Sequence, residues 1–285
     1  TTHHTFSSDN FKKIIQSGKD AIKTFLIADE VHGLGAKKRR DSLLQEYELR
    51  LGLSATPERW FDIFGTKTIY NFFGGVVYEF GLDKATNTIN PVTGQTYLTP
   101  YRYIPKFVCL TSEELEEYVD KTRIIAIKLG NAKEEEEKDE ILETLLFERA
   151  NIVKNAVEKY RILEELLDEL GSSLKWTIVY CTPKQIDKVM KIVNKRGIFA
   201  HRFTMEEGTT PQKKYNWLSE RKFILQKFSE GTYQVLVAMK CLDEGVDIPP
   251  ARIAIFMASS GNPREYIQRI GRVPVSYTHL TLPTN

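Results

Sequence analysis

The chain has 285 residues, with 40 Lys and Arg against 38 Asp and Glu for a formal net charge of +2. Any contact with nucleic acid must therefore come from local basic patches rather than a global field, while the length allows one large or two ordinary domains with ample core. Three well-separated cysteines, Cys109, Cys181 and Cys241, form no C-x-x-C pair, which argues against a zinc site or disulfide framework and fits a reducing cytoplasm. No apolar run approaches the roughly 20 residues that span a bilayer, and no signal-peptide pattern is present, so no membrane partner is expected. The chain begins Thr1-Thr2-His3-His4 without Met and reads as a fragment.

Thr1 to Ser8 precedes a helix predicted from Asp9 to about Ser17. His3 and His4 have no third ligand nearby, and such a pair is ordinarily just polar. Gly18-Lys19 is not a phosphate loop, because G-x-x-x-x-G-K-[ST] requires Gly where Lys13 stands and Ser or Thr where Asp20 stands. Gly33-Leu34-Gly35 fails G-x-G-x-x-G at Lys38. Thr24 to Ala28 is an apolar strand running into Asp29-Glu30-Val31-His32, and the carboxyl end of a buried strand is where α/β sheets place ligands. Neighbouring strand positions face opposite ways, so the two carboxylates can work separately. Asp29 can hold Mg²⁺ through its water shell, and Glu30 can accept a proton from an attacking water. Asp-Glu after a strand is equally a turn or cap signal.

A helix is predicted over Ala36 to Glu48, with Leu43, Leu44 and Tyr47 inward and Lys37-Lys38-Arg39-Arg40 as a solvated face near its start. Leu49, Leu51 and Leu53 alternate as a strand leading to Ser54-Ala55-Thr56-Pro57, where small hydroxyls can relay hydrogen bonds between loops. Val76 to Phe80 reads as a further strand. From Gly81 to Leu110 turn signals replace periodicity, and Thr111-Ser112-Glu113-Glu114 is a capping box opening a helix. The Glu134–Glu137 run suggests a solvated helix or flexible segment.

Ile152, Val153, Ala156, Val157, Tyr160, Leu163, Leu167 and Leu170 follow helical spacing up to a stop at Gly171. Trp176 to Cys181 is a strand, followed by a helix to Arg196, a strand through Phe199 and Phe203, and a helix over about Ser219 to Glu230. Cys181, ending an apolar strand, reads as a small core residue. Two more core strands, Gln234–Ala238 and Ile253–Met257, flank a polar loop, Asp243-Glu244-Gly245-Val246-Asp247. This strand–helix alternation implies a parallel sheet. A last helix opens at Asn262-Pro263 with Glu265 at the capping-box position. Tyr266, Ile267 and Ile270 share one side of it, and Gln268, Arg269 and Arg272 the other. Such a basic side is ordinarily a solvated face, and it can also serve an anionic transition state.

The order and separation of DEGVDIP and QRIGR resemble motifs V and VI of superfamily 2 DEAD/DEAH-type helicases, within the branch of type III restriction-subunit (Res-like) and DNA-repair helicases. DEVH then resembles the Walker B motif II, Ser54-Ala55-Thr56 motif III, Thr177–Thr182 motif IV, and Thr1–Ser8 motif Ib. The resemblance implies an α/β fold of two RecA-like parallel-sheet lobes, the first truncated, with a helical insertion between them. The expected divisions are a partial first lobe at 1–80, an insertion at 81–149, a second lobe at 150–273 and a non-native tail at 274–285. VPVSYTHLTLPTN drops the helical pattern and resembles a translated sequencing adaptor.

The resemblance also assigns roles. Asp29 would hold Mg²⁺, Glu30 would activate water, and Arg269 and Arg272 would serve the γ-phosphate of ATP. His32, Ser54, Thr56, Gly245, Asp247 and Gln268 would bind nucleotide or couple its site to nucleic acid, which Thr182 and Lys240 would touch. DNA is the expected partner, with further subunits of a restriction or repair complex, and the expected activity is ATP hydrolysis coupled to movement on DNA. Three departures stand out. No motif I is present, so truncation and an inactive fragment are expected. Val275 stands where the branch commonly has a basic residue, and Met239 lies near a position often held by Thr. A non-hydrolysing nucleic-acid-binding module is the alternative should the full gene also lack a P-loop. An unrelated P-loop NTPase fits the paired motifs V and VI poorly.

Overall fold

The computed structural model describes residues 1–18, 24–59, 62–131, 140–204, 206–239, 251–258 and 277–280. They divide into two compact units, Thr1–Leu82 and Asp83–Asn285, each with its own core.

In the first unit, short helices α1 (His3–Phe6) and α2 (Asp9–Ser17) precede strand β1 (Thr24–Ala28). Ser8 caps α2, its hydroxyl accepting from the Phe11 amide. Strand β2 (Tyr47–Gly52) pairs parallel with β1, Phe25 opposite Leu49 and Ala28 opposite Gly52. Helix α3 (Ile63–Phe73) completes a core of Phe6, Ala28, Val31, Leu34, Tyr47, Ile69 and Phe72. Phe25, Ile27 and Leu49 stand on the other side of the strand pair and are exposed.

The helix expected over 36–48 is absent. Two 3₁₀ turns, Val31–Gly35 and Arg40–Ser42, occupy the connection, and Tyr47 already belongs to β2. Arg40 explains the departure, because its guanidinium bonds the Gly35 carbonyl at 2.6 Å and Asp62 at 2.9 Å, pinning the segment to its neighbours. Leu43 and Leu44 still pack against the core. The strand expected at 76–80 is also absent. Gly74 and Gly75, with φ of +83° and +88°, turn the chain out of α3, and the 86% exposed Val77 and 75% exposed Tyr78 lie in a segment without a β-ladder partner among the described residues.

In the second unit α4 (Leu82–Asn87) and β3 (Tyr103–Pro105) lead to α5 (Ser112–Asn131), which packs against α6 (Glu140–Lys154). The capping box at the start of α5 is reciprocal: the Glu114 amide bonds Thr111 Oγ1 at 3.3 Å, and the Thr111 amide bonds Glu114 Oε2 at 2.9 Å. The helix read across 152–170 is two helices, α6 and α7 (Glu158–Leu170), broken at Asn155–Val157. A continuous helix would bond the Val157 amide to the carbonyl four residues back. That amide goes to Glu114 Oε1 instead, at 2.9 Å.

The remaining elements are β4 (Thr177–Tyr180), α8 (Ile186–Lys195), β5 (Ala200–Phe203), a hairpin of β6 (Pro211–Gln212) and β7 (Leu218–Ser219), α9 (Glu220–Ser229), β8 (Val235–Ala238), β9 (Ile253–Phe256) and β10 (Tyr277–Leu280). Six strands form an all-parallel sheet in the order β3-β10-β9-β4-β8-β5. Alternation divides the side chains of β4, β8 and β9 between two cores. Val179, Val235, Val237, Ile253 and Ile255 meet α7 and α8, while Ile178, Tyr180, Leu236, Ala254 and Phe256 meet Ile224 and Phe228 of α9. Strand β10 lies in the stretch expected to be a non-native tail and pairs with both β9 and β3. The Glu134–Glu137 run and the helix expected after Asn262 lie outside the described residues.

Candidate functional site

Strand β1 delivers Asp29 and Glu30 at its carboxyl end. Asp29 is exposed, and its Oδ1 accepts from the Glu30 amide at 2.9 Å. The Asp29 carbonyl accepts from His3 Nε2, also at 2.9 Å, so that ring nitrogen carries the proton and α1 is tied to the acidic turn. Glu30 adopts the left-handed conformation, φ 48° and ψ 47°, which is strained for a residue with a side chain. The turn aims the next residues back over the strand ends. The buried His32 ring places Nδ1 3.3 Å from Glu30 Oε2 and 3.1 Å from Ser54 Oγ. Ser54 Oγ in turn accepts from the Thr56 amide at 3.2 Å. His32, Ser54 and Thr56 thus form one hydrogen-bonded line between the ends of β1 and β2, with the Glu30 carboxylate in contact with its His32 end. Thr56 Oγ1 is sealed from solvent without a hydrogen-bond partner among the described residues.

A second set of residues, not anticipated from the sequence, locks this line in place. Arg59 donates to the His32 carbonyl at 2.6 Å and to Asp62 Oδ2 at 2.8 Å. Arg40 approaches Asp62 at 2.9 Å, and Asp62 Oδ1 also caps α3 through the Gly65 amide at 2.7 Å. Burial raises the Asp62 pKa, but the hydrogen bonds from Arg59 and Gly65 and the charges of Arg40 and Arg59 outweigh it and hold the carboxyl below its usual range. Gly35 and Gly65 make the close approach possible. A Cβ on Gly35 would lie 2.8 Å from the Gly65 carbonyl oxygen, and one on Gly65 would lie 2.7 Å from that of Gly35. The basic run is thus only partly a solvated face, since Arg40 is held in this lock.

In the second unit Thr182 follows β4. Its amide donates to Gln185 Oε1 at 2.9 Å and its hydroxyl to Asn155 Oδ1 at 2.6 Å. Gln185 Nε2 continues to the Lys154 carbonyl at 2.9 Å. Buried Lys159 bridges the same end of the sheet, with Nζ 2.8 Å from the Met257 carbonyl after β9 and 3.4 Å from the Lys154 carbonyl. Its pKa falls to about 8, chiefly through burial, which the nearby Glu114 opposes and Lys154 reinforces. The break between α6 and α7 is therefore what brings Asn155 to Thr182 and Lys159 to the Met257 carbonyl. Sequence periodicity, which ran one helix through this point, gave no sign of it. Cys181 is a buried core residue.

Lys240, Gly245, Asp247, Gln268, Arg269 and Arg272 lie outside the described residues. The structure brings Asp29, Glu30, His32, Ser54 and Thr56 together in the first unit and places Thr182 at the carboxyl end of the sheet in the second. No group of three or more His, Cys, Asp or Glu suited to a metal occurs among the described residues. None of their helices is long and apolar enough to cross a membrane.

Residues 158–274 match the family model of the helicase conserved C-terminal domain. The chain is 31% identical over 271 residues to the DNA 3'-5' translocase XPB2 of Sulfurisphaera tokodaii, covering 87% of this chain and 55% of that protein. It thus spans about half the length of that relative. Two solved structures share the fold: the Pyrococcus furiosus Hef helicase domain, at TM-score 0.51 and 16% identity over 96% of this chain and 75% of that one, and the Sulfolobus solfataricus SWI2/SNF2 ATPase core in complex with dsDNA, at 0.50 and 14% over 99% and 67%. The match to the helicase conserved C-terminal domain thus takes in β4, β5, β8 and β9 of the second unit's parallel sheet, and the chain as a whole is similar in sequence to the XPB2 translocase and in fold to the two solved cores.

Proposed function

We propose that this chain is the part of an ATP-driven DNA translocase or helicase that carries the catalytic carboxylates and the arginine helix. The observation that carries the reading is the line Glu30–His32–Ser54–Thr56, which joins the acidic turn after β1 to the hydroxyl loop after β2 through contacts of 3.1–3.3 Å. Such a line gives a change at the nucleotide a physical route to the loop expected to sense nucleic acid. Glu30 takes the proton of the attacking water, and His32, itself bonded to Ser54, steadies its carboxylate. Asp29 suits Mg²⁺: it is an exposed hard-oxygen donor beside a second carboxylate, and Mg²⁺ characteristically binds through one or two carboxylates plus phosphates and waters. When bound, the ion supplies charge neutralisation on the phosphates. Gly245, Asp247 and Gln268 contact nucleotide or couple its site, Arg269 and Arg272 meet the γ-phosphate, and Thr182 and Lys240 lie on the nucleic-acid path.

The proposed organisation is a first-lobe portion at 1–80, an insertion at 81–149, a second lobe at 150–273 and a foreign tail at 274–285, in a cytoplasmic protein working with further subunits. The 285 residues contain no G-x-x-x-x-G-K-[ST] segment, so ATP turnover requires a longer polypeptide supplying that amide cradle. The chain alone is expected to show no ATPase above background, with or without DNA, and robust turnover would remove the phosphate-site assignment. In a P-loop-bearing protein, Glu30→Gln is expected to keep ATP binding and slow DNA-stimulated turnover by ~10²–10⁴-fold, the usual weight of general-base catalysis. Near-parental turnover in that variant would remove Glu30 from the chemistry.

A further inference from the structure

The hairpin between β5 and α9 has features that neither the fold nor the carboxylate line accounts for. Trp217 is 72% exposed at its tip. The other described tryptophan, Trp176, is built into its surroundings, with Nε1 donating to the Ser229 carbonyl and Arg252 stacked over the ring at 4.4 Å. Asn216 and Trp217 are consecutive left-handed residues, with φ of 54° and 62°. Asn tolerates that region, whereas a bulky aromatic is rarely found there. The backbone conformation is held by Asn216 and Trp217 amides donating to the Lys213 and Gln212 carbonyls, both at 3.1 Å. Strain kept without buried packing in return is a mark of a functional position.

The base of the hairpin is rigid. Glu220 accepts from the Tyr215 hydroxyl and from the Gly208 amide, the Tyr215 ring lies 5.2 Å from that of Phe223, and Ser219 caps α9. These contacts occupy the Glu220 carboxylate, and Glu207 is likewise bonded to Thr204. Gly208 to Trp217, GTTPQKKYNW, contains two exposed lysines, Lys213 and Lys214, and no acid; exposed Glu206 stands just before it. The hairpin leaves the sheet after the carboxyl end of β5, the end at which β4 delivers Thr182, and parallel α/β sheets receive ligands at that end.

We infer that the Pro211–Ser219 hairpin presents Trp217 as a stacking surface for an unpaired base of a nucleic-acid strand, with Lys213 and Lys214 on the adjoining phosphates. An indole face accepts any base, and lysines beside it track the backbone, the combination used for sequence-tolerant single-strand binding. This rests on the nucleic-acid reading above and adds where an unpaired strand is gripped.

The test is fluorescence anisotropy of the 285-residue chain with a labelled oligodeoxythymidylate at low salt, beside the same strand bearing abasic positions. Trp217→Ala is expected to weaken binding about 5- to 150-fold, the range for one lost base–aromatic stack. Trp217→Tyr is expected to retain most of the affinity. Trp217→Asn, which suits the left-handed backbone, is expected to fold normally and bind as weakly as the alanine variant. Lys213→Ala with Lys214→Ala is expected to lower the slope of log affinity against log salt by about 1.4. On a fully abasic strand, parent and Trp217→Ala should bind alike. Failure of the parent to bind any strand overturns the nucleic-acid reading and this one with it. Parental affinity in both Trp217→Ala and Trp217→Asn overturns the stacking role alone, as does an equal loss on abasic DNA. Capture of a protein partner through Trp217, with DNA binding unchanged, overturns it too.

Discussion

Lys159 offers a sharp test of how the second unit is held together. It is 2% exposed in the first turn of α7 and is bonded to the Met257 and Lys154 carbonyls. Burial lowers its pKa from 10.5 to about 8. At 1.36 kcal/mol per pH unit, that gap means the fold disfavours the ammonium by about 3 kcal/mol relative to neutral lysine. The sign follows from linkage. Below pH 8 both folded and unfolded chains carry the proton, and the cost is present in full. Between about 8 and 10.5 the unfolded chain binds more proton than the folded one, so stability rises with pH by up to about 3 kcal/mol.

Lys159→Met keeps the length of the stem and removes the charge. The Lys154 carbonyl retains Gln185 Nε2 as a donor, while the Met257 carbonyl loses its lysine, at a cost of about 1 kcal/mol or somewhat more. The variant should therefore be more stable than the parent at pH 7 by about 1–2 kcal/mol, and the advantage should shrink steadily towards pH 9.5. Urea unfolding of both proteins at pH 7, 8, 9 and 9.5 measures this, and the difference between them cancels other titrating groups. Parallel stability curves across that range, or a variant about 3 kcal/mol less stable at pH 7, would refute the reasoning and mark Lys159 as an ordinary charged anchor.

Asp62→Asn should destabilise the first unit at pH 7 by about 1–3 kcal/mol, since three donors converge on the carboxylate. Because the folded pKa is depressed, the stabilisation is present above the ordinary carboxylate value of about 4 and disappears as pH falls through the lower folded value; acid titration of parent and variant should show their curves converging there. Thr56→Val removes the sealed, unpartnered hydroxyl without opening a cavity, so thermal unfolding should show stability unchanged or raised by about 1 kcal/mol. In a P-loop-bearing protein the same change should reduce stimulation of ATPase by DNA, and full stimulation would exclude a coupling role for the hydroxyl. Arg272→Ala in such a protein should unfold at nearly the parental temperature and still bind DNA while losing ~10³–10⁵ in turnover, with Arg272→Lys rescuing poorly for want of the planar donor fork.

What could be read from the sequence was whatever local chemistry decides. The apolar run at Thr24–Ala28 is β1, the helix expected over about Ser219 to Glu230 is α9, and the reciprocal Thr111–Glu114 pair opens α5, because each depends on residues within a few turns or one strand. The errors come where a distant partner overrides the local pattern. Arg40 prefers Asp62 and the Gly35 carbonyl to a helical surface, and Glu114 captures the Val157 amide from 43 residues away. The same limit applied to the site. Asp29, Glu30, Ser54 and Thr56 stood out as motifs, but Arg59, Asp62, Asn155 and Lys159 acquire meaning only through contacts between segments remote in sequence. No periodicity or spacing marks those contacts.

Thr182 shows how such contacts alter the chemistry of a residue that the sequence did single out. Asn155 Nδ2 donates to the Asn151 carbonyl at 2.8 Å, which turns its Oδ1 towards Thr182. The Thr182 hydroxyl proton is therefore committed to Asn155, and the amide proton to Gln185. The hydroxyl oxygen keeps acceptor capacity only. Phosphate oxygens are also acceptors, so a direct hydroxyl-to-phosphate bond would require breaking the Asn155 contact. A sugar hydroxyl, a base amine or a bound water can donate to Thr182 as it stands. Asn155→Ala would free the proton and permit the phosphate contact. If Thr182 grips the backbone, that substitution should strengthen strand binding. If Thr182 instead serves as the brace between β4 and the α6–α7 break, the same substitution should lower the stability of the second unit and leave strand binding unchanged. The bonds to Asn155 and Gln185 already brace that end of the sheet, so a strand on the path would meet Thr182 through its acceptor side.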